Sequence, residues 1–197
     1  MFSPVRVSAP AVSPISLSEV KARLKVDHAE DDATILAYIE AATRRLDGWD
    51  GILGRCLINQ AWELRLPDWP CGRRIILPFP HCSNISVSYS AAGAEQVGVP
   101  PDNVSPVRET IGGSSVLIFS SFELPLIDSE KGYVAVAFTA GYGAAASDVP
   151  PPIRQAIHLM VADMYRFTEG AVIGNAEAAP ISTTVDNLIA PYRRLRV

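Results

Sequence analysis

The sequence predicts an α+β protein, and three observations carry that expectation. Apolar residues recur every three to four positions before residue 54, every second position from 57 to 140, and every three to four again after Pro150-Pro151-Pro152. The helical period marks a stripe buried on one side of a helix, and the period of two marks a strand with one buried face.

Residues 1–14 read as a flexible arm. Ser3, Pro4, Ser8, Pro10, Ser13 and Pro14 alternate with small apolar residues, and neither period survives there. Structure is expected from Ile15. Ser16-Leu17-Ser18-Glu19 is a capping box, in which the Ser16 hydroxyl takes an orphan N–H and Glu19 reaches back to the cap. Ile15 and Val20 stand at hydrophobic-staple positions, and Leu17, Val20 and Leu24 share one helical face. Asp27-His28-Ala29-Glu30 repeats the cap pattern and predicts a longer helix to about Leu53, with Ile35, Leu36, Ile39, Ala42, Leu46 and Trp49 as its stripe. Asp27, Glu30, Asp31 and Asp32 crowd its first turn, where the helix dipole favours negative charge. With Glu40, Asp47 and Asp50 they outweigh Arg44 and Arg45, and Gly48, Gly51 and Gly54 weaken the end.

Ile58, Trp62, Leu64 and Leu66 alternate with Asn59, Glu63 and Arg65, which predicts the first strand. Segments 73–77, 83–89, 116–119 and 133–138 follow, separated by clusters of Gly, Pro, Asn and Asp. No helical segment interrupts them, so the pairing is expected to be antiparallel. The proline run pre-sets the first turn of a third main helix, whose stripe is Ile153, Ile157, Met160, Val161 and Met164. Residues 170–181 read as a small-residue loop. A last short helix from about Ser182 buries Val185, Leu188 and Ile189, stops at Pro191, and leaves the basic tail Tyr192-Arg193-Arg194-Leu195-Arg196-Val197. The expected division is an arm at 1–14, helices at 15–56, a β insertion at 57–149, and helices with a tail at 150–197, all in one domain.

Composition bounds the function. Of 197 residues, 48% are hydrophobic and 19% charged, which excludes wholesale disorder, while 16 prolines announce many loops. A net charge of −4 argues against tight, sequence-independent DNA binding, which needs a clustered basic footprint. No segment approaches the roughly 20 apolar residues of a membrane span. Pro4, Pro10, Pro14 and Arg6 predict that no signal peptide opens the chain, and three cysteines without framework spacing predict reduced thiols in the cytoplasm.

Catalytic chemistry finds little support. No Gly-x-x-x-x-Gly-Lys-Ser/Thr string and no Gly-x-Ser-x-Gly elbow occurs. Cys56, Cys71, Cys82 and His81 lack the short paired spacing of zinc ligands, and buried or edge cysteines are the simpler account. His28 reads as a solvated residue at a helix start, and His158 sits beside an apolar stripe. Asp31 and Asp32 point about 100° apart on a helix and serve better as caps than as paired acids. No catalytic residue, metal site or cofactor is expected.

The order of elements is more informative. Leu17-x-x-Val20-x-x-x-Leu24-x-Val26-Asp27 precedes Asp31-Asp32-x-x-Ile35 and an Ala41-Ala42 helix, and Asn59-Gln60-Ala61-Trp62 opens the strands. Phe138-Thr139-Ala140-Gly141-Tyr142-Gly143 leads through the prolines to Ile153-Arg154-Gln155-Ala156, and Ala190-Pro191-Tyr192-Arg193 closes the set. Over residues 15–197 this resembles the head–tail connector (adaptor) family of long-tailed bacteriophages, with the related proteins of phage-like gene transfer agents. The resemblance implies a small helical bundle with an antiparallel β insertion between the second and third main helices. It implies a structural protein of the particle neck, made in the bacterial cytoplasm, that forms a dodecameric ring beneath the portal. Its partners would be the portal protein, the next connector or stopper protein of the tail, and double-stranded DNA passing through the lumen without sequence-specific binding. The family's C-terminal segment contacts the portal, which maps here onto Val185, Leu188, Ile189, Tyr192, Arg193, Arg194, Leu195, Arg196 and Val197. The basic tail also admits a nucleic-acid-binding or DNA-packaging accessory protein, and His81 with Cys82 a small enzyme.

Overall fold

The computed structural model describes residues 3–70, 72–90, 96–111, 114–119, 123–127, 132–167 and 183–194. The chain divides into a helical unit, residues 12–58 and 143–195, and a sheet unit, residues 1–11 and 59–142 with 196–197.

The helical unit contains α1 (Leu17–Leu24), α2 (Asp32–Leu46), α3 (Pro151–Arg166) and α4 (Thr183–Ile189). The capping box of α1 forms as its sequence requires: Ser16 Oγ accepts the Glu19 N–H at 3.2 Å, and Glu19 Oε2 accepts the Ser16 N–H at 3.0 Å. Lys25 ends α1 in the left-handed conformation (φ 59°) and donates its N–H to Lys21 O. Helix α2 is shorter than its sequence suggests at both ends. Its N-cap is Asp31, after a turn over 27–30, and it stops at Leu46 because Asp47 turns extended and Gly48 takes a φ of 80°. The segment after it folds back: Asp47 Oδ1 accepts the Leu57 N–H at 2.7 Å, and Gly48 donates its N–H to Arg55 O at 2.9 Å. That fold-back brings Leu53, Cys56, Leu57 and Ile58 into the interior with Ile35, Ile39, Ala42 and Leu46 of α2. Ile153, Ala156, Ile157 and Val161 of α3, and Val185 and Ile189 of α4, complete this core.

The sheet unit has two antiparallel sheets. The larger runs β1 (Val5–Ser8), β2 (Gln60–Leu66), β8 (Val134–Ala140), β4 (Cys82–Ser90), β5 (Gln96–Gly98) in that spatial order. The smaller runs β3 (Arg74–Ile76), β7 (Ser114–Phe119), β6 (Val104–Ile111). In the centre of the larger sheet Trp62 stands opposite Phe138, Leu64 opposite Val136, and Val136 opposite Val87. These cross-strand pairs bury Trp62, Leu64, Val87, Val134, Val136 and Phe138, as the period of two requires. The Phe79 ring lies 4.8 Å from that of Trp62 and 6.3 Å from that of Phe138.

The fold is therefore a sheet-rich α+β protein, and the expectation of a small helical bundle carrying a β insertion is corrected. The β residues are too numerous and too well packed to decorate a bundle; they bury their own aromatic core in two sheets. Three of the strands, β1, β5 and β6, escaped the sequence reading, and all three stand at sheet edges. All four residues of β1 are exposed, and so are the three of β5; Val5 and Val7 do alternate with Arg6 and Ser8, but a stretch of four or three residues is too short to stand out as a strand. Strand β1 lies inside the stretch expected to be an arm, and it pairs with β2 through Val5 opposite Glu63 and Arg6 opposite Trp62. The loop expected at 170–181 lies outside the described residues.

Candidate functional site

Helix α4, the single 3-10 turn Ala190–Tyr192 and the residues after it form the segment to which the sequence assigned docking. Its residues split by burial. Val185 (1% exposed) and Ile189 (0%) face inward and belong to the helical unit's own core. Leu188, Tyr192 and Arg194 are half-buried, and Arg193 is exposed. Leu195, Arg196 and Val197 lie outside the described residues. Arg194 ties the segment to the rest of the unit, donating its backbone N–H to Leu53 O at 3.1 Å, and Arg193 braces it from within, its Nη2 donating to Asp186 Oδ1 at 2.7 Å. An anchored backbone thus presents Tyr192 and Arg193 at the edge of the unit.

The acidic start of α2 has a structural use that composition alone did not show. Asp31 accepts the Tyr165 hydroxyl of α3 at 2.6 Å, and Asp32 accepts Lys21 Nζ of α1 at 2.5 Å. The Asp31 bond to the phenol, with partial burial, raises the Tyr165 pKa. Arg154 of α3 adds a further tie, donating to Pro14 O at 3.2 Å and to Glu19 Oε1 at 2.7 Å. The Ser16 N–H, followed by the Arg154 guanidinium and against some burial, holds the Glu19 carboxyl below its usual range. These bonds bring three helices into one register.

A groove of about 430 Å³ runs along the seam of α1 and α3. Val20, Leu24, Leu159 and Ala162 give it an apolar floor, and Arg23, Lys25 and Arg166 a cationic rim. His158 lines it too; burial first, then the charges of Arg23 and Arg154, outweigh Glu19 and lower its pKa, and its Nδ1 is buried without a hydrogen-bond partner. Sequence reasoning missed this site because its two walls lie more than a hundred residues apart. The only local signal was basic residues in the last turns of both helices, which the helix dipole explains equally well.

The cysteines weighed as metal ligands fall in different parts of the chain. Cys56 is buried in the helical unit, Cys82 belongs to the sheet unit with its Sγ 3.2 Å from Phe79 O, and Cys71 lies outside the described residues. No group of three or more His, Cys, Asp or Glu among the described residues could hold a metal ion. No described helix is long and apolar enough to cross a membrane.

Helix-to-helix ties, a basic chain end and a groove with a cationic rim are the features that this α+β protein places in its helical unit. Comparison with solved structures makes the α+β class specific. The neck of an empty gene transfer agent particle, computed with sixfold symmetry, contains a chain that superposes with a TM-score of 0.78 at 24% identity, covering 100% of this chain and 97% of that one. The virion of a native gene transfer agent particle (0.77, 25% identity) and its neck computed with twelvefold symmetry (0.74, 25% identity) match over the same shares. No family model matches the chain, and no curated protein matches it. Over its whole length the chain has the fold of these neck chains, which bears out the connector resemblance and a structural role.

Proposed function

We propose that the protein is a head–tail connector subunit: it forms a ring under the portal, extends the DNA channel, and offers a platform to the next connector or stopper protein of the tail. The full-length likeness to gene transfer agent neck chains carries this reading, and the sixfold and twelvefold symmetry of those necks supports a ring. Twelve copies follow from the family resemblance and the twelvefold neck. The particle neck is then the site of action, after synthesis in the bacterial cytoplasm.

Within that reading the portal-facing element is the chain end from Tyr192 to Val197. Val185 and Ile189 position it from inside the core, while Leu188, Tyr192, Arg193 and the residues beyond make the contact. Arginines suit an acidic partner surface through directional, charge-assisted hydrogen bonds. Duplex DNA passes without sequence-specific binding, in keeping with a net charge of −4, which leaves few cations for phosphates. Deleting residues 192–197 tests the anchor. The truncated chain should fold, giving an unchanged far-ultraviolet spectrum, while filled heads accumulate without tails. Normal tailed particles from the truncation would refute the anchor.

A further inference from the structure

The structure offers two surfaces of the helical unit that complement each other and share no residue. Helices α1, α2 and α3 each touch the other two. The groove is lined by α1, α3 and Lys25 with no residue of α2, and the exposed row of α2 is a separate surface. That row is Ala33, Leu36, Ala37 and Glu40, all exposed, with Leu36 half in water (50%). A leucine among alanines is a knob on a smooth helix, and small neighbours let another backbone come close. Exposed Asp27 and Glu30 precede the row and Glu40 closes it, while Arg44, 3.9 Å from Glu40, and Arg45 lie at the far end. Among the groove's lining residues none is acidic, although the whole chain is.

From this we infer that the occupant of the groove is a second copy of the chain, which lays the outer face of its α2 along the α1–α3 seam. Leu36 of the incoming helix meets the floor of Leu24, Leu159 and Ala162, and Glu30 and Glu40 meet Arg23, Lys25 and Arg166. Seating an amphipathic helix in an apolar groove is a common recognition mode, and the opposite charges set its direction. Because groove and knob share no residue, the contact is heterologous: each copy gives one surface and receives the other, as a closed ring requires. The inference rests on the ring reading and specifies which surfaces close it.

Disulfide trapping in particles tests it. Cells carry as their only copy a gene with Leu36→Cys and Leu159→Cys, and purified particles are oxidised. The expected product is a ladder of covalent multimers, each step one chain heavier, that neither single substitution gives. A double variant built into particles without a ladder overturns the contact and leaves the neck assignment standing, whereas particles that lack even the wild-type chain overturn both. A second arm avoids cysteine. Arg23→Glu with Arg166→Glu should abolish ring assembly, and adding Glu30→Lys with Glu40→Lys to the same chain should restore it. Loss without restoration, in a chain whose melting temperature is unchanged, overturns the charge pairing.

Discussion

Ser16 and Glu19 hold the first turn of α1 by two reciprocal bonds, and Glu19 also reaches Arg154. Ser16→Ala should cost about 1 kcal/mol, the usual loss for a missing cap, read as a melting point about 2–4 °C lower for a chain of this size. The Glu19 carboxylate titrates below its usual 4.5 in the fold, so its contribution is complete above that pH and is lost as pH falls through the lowered native value. His158 behaves alike for a different reason. Burial and Arg23 disfavour its charged form, so the neutral ring's contribution is complete above 6.5 and is lost as pH falls through the depressed native value. His158→Leu should flatten the stability profile just below 6.5, measured as urea midpoints against pH; an unchanged slope would place the titration elsewhere. The cap was legible because all its members lie within four residues. His158 was not, since its charged surroundings come from two helices.

At the level of elements, periodicity located α1, α3, β2, β4 and β8 closely, because apolar residues recur in them at the helical or strand period, although β8 is buried on nearly both faces and β4 buries Val87 alone. It overran α2, where Trp49 and Leu53 continue the apolar spacing although Gly48 has already turned the chain. Those residues belong to the fold-back, and Gly51 belongs to it for want of room: a Cβ there would run into the carbonyls of Leu46 and Asp47. Gly51→Ala should therefore destabilise the helical unit more than a surface Gly→Ala change, visible as a lower urea midpoint with the same slope. In the sheet unit, Phe79→Ala removes the ring between Trp62 and Phe138 and should cost about 3–5 kcal/mol, followed by tryptophan fluorescence. Strands β1, β5 and β6 stayed hidden because they are edge strands held by backbone bonds, and backbone bonds leave no mark in side-chain type.

For the whole molecule, the order of elements pointed to a connector, while the balance between helix and sheet did not follow from it. Order is written along the chain; how many segments join one sheet depends on pairings such as Val5 with Glu63, nearly sixty residues apart. The segment proposed to dock was legible in part. Its arginines stand out in any charge plot and its apolar spacing already pointed to burial of Val185 and Ile189, but only the fold shows that Arg193 holds Asp186. Both surfaces of the inferred ring contact are modest, one helix row and one groove of about 430 Å³. The purified chain should accordingly be monomeric or weakly associated in dilute buffer, closing into a collar only where a template gathers the copies; a stable ring seen by mass measurement would contradict this.

Strands β1, β2 and β8 are neighbours in the larger sheet, and at one end of it Ser8 faces Ala61 while Gln60 faces Ala140. Every crossing of the chain between its two units in that region leaves from this same end. Tension between the units would consequently tug three adjacent strands in the same direction at once. Their ladders would be carried along together instead of being unzipped or sheared.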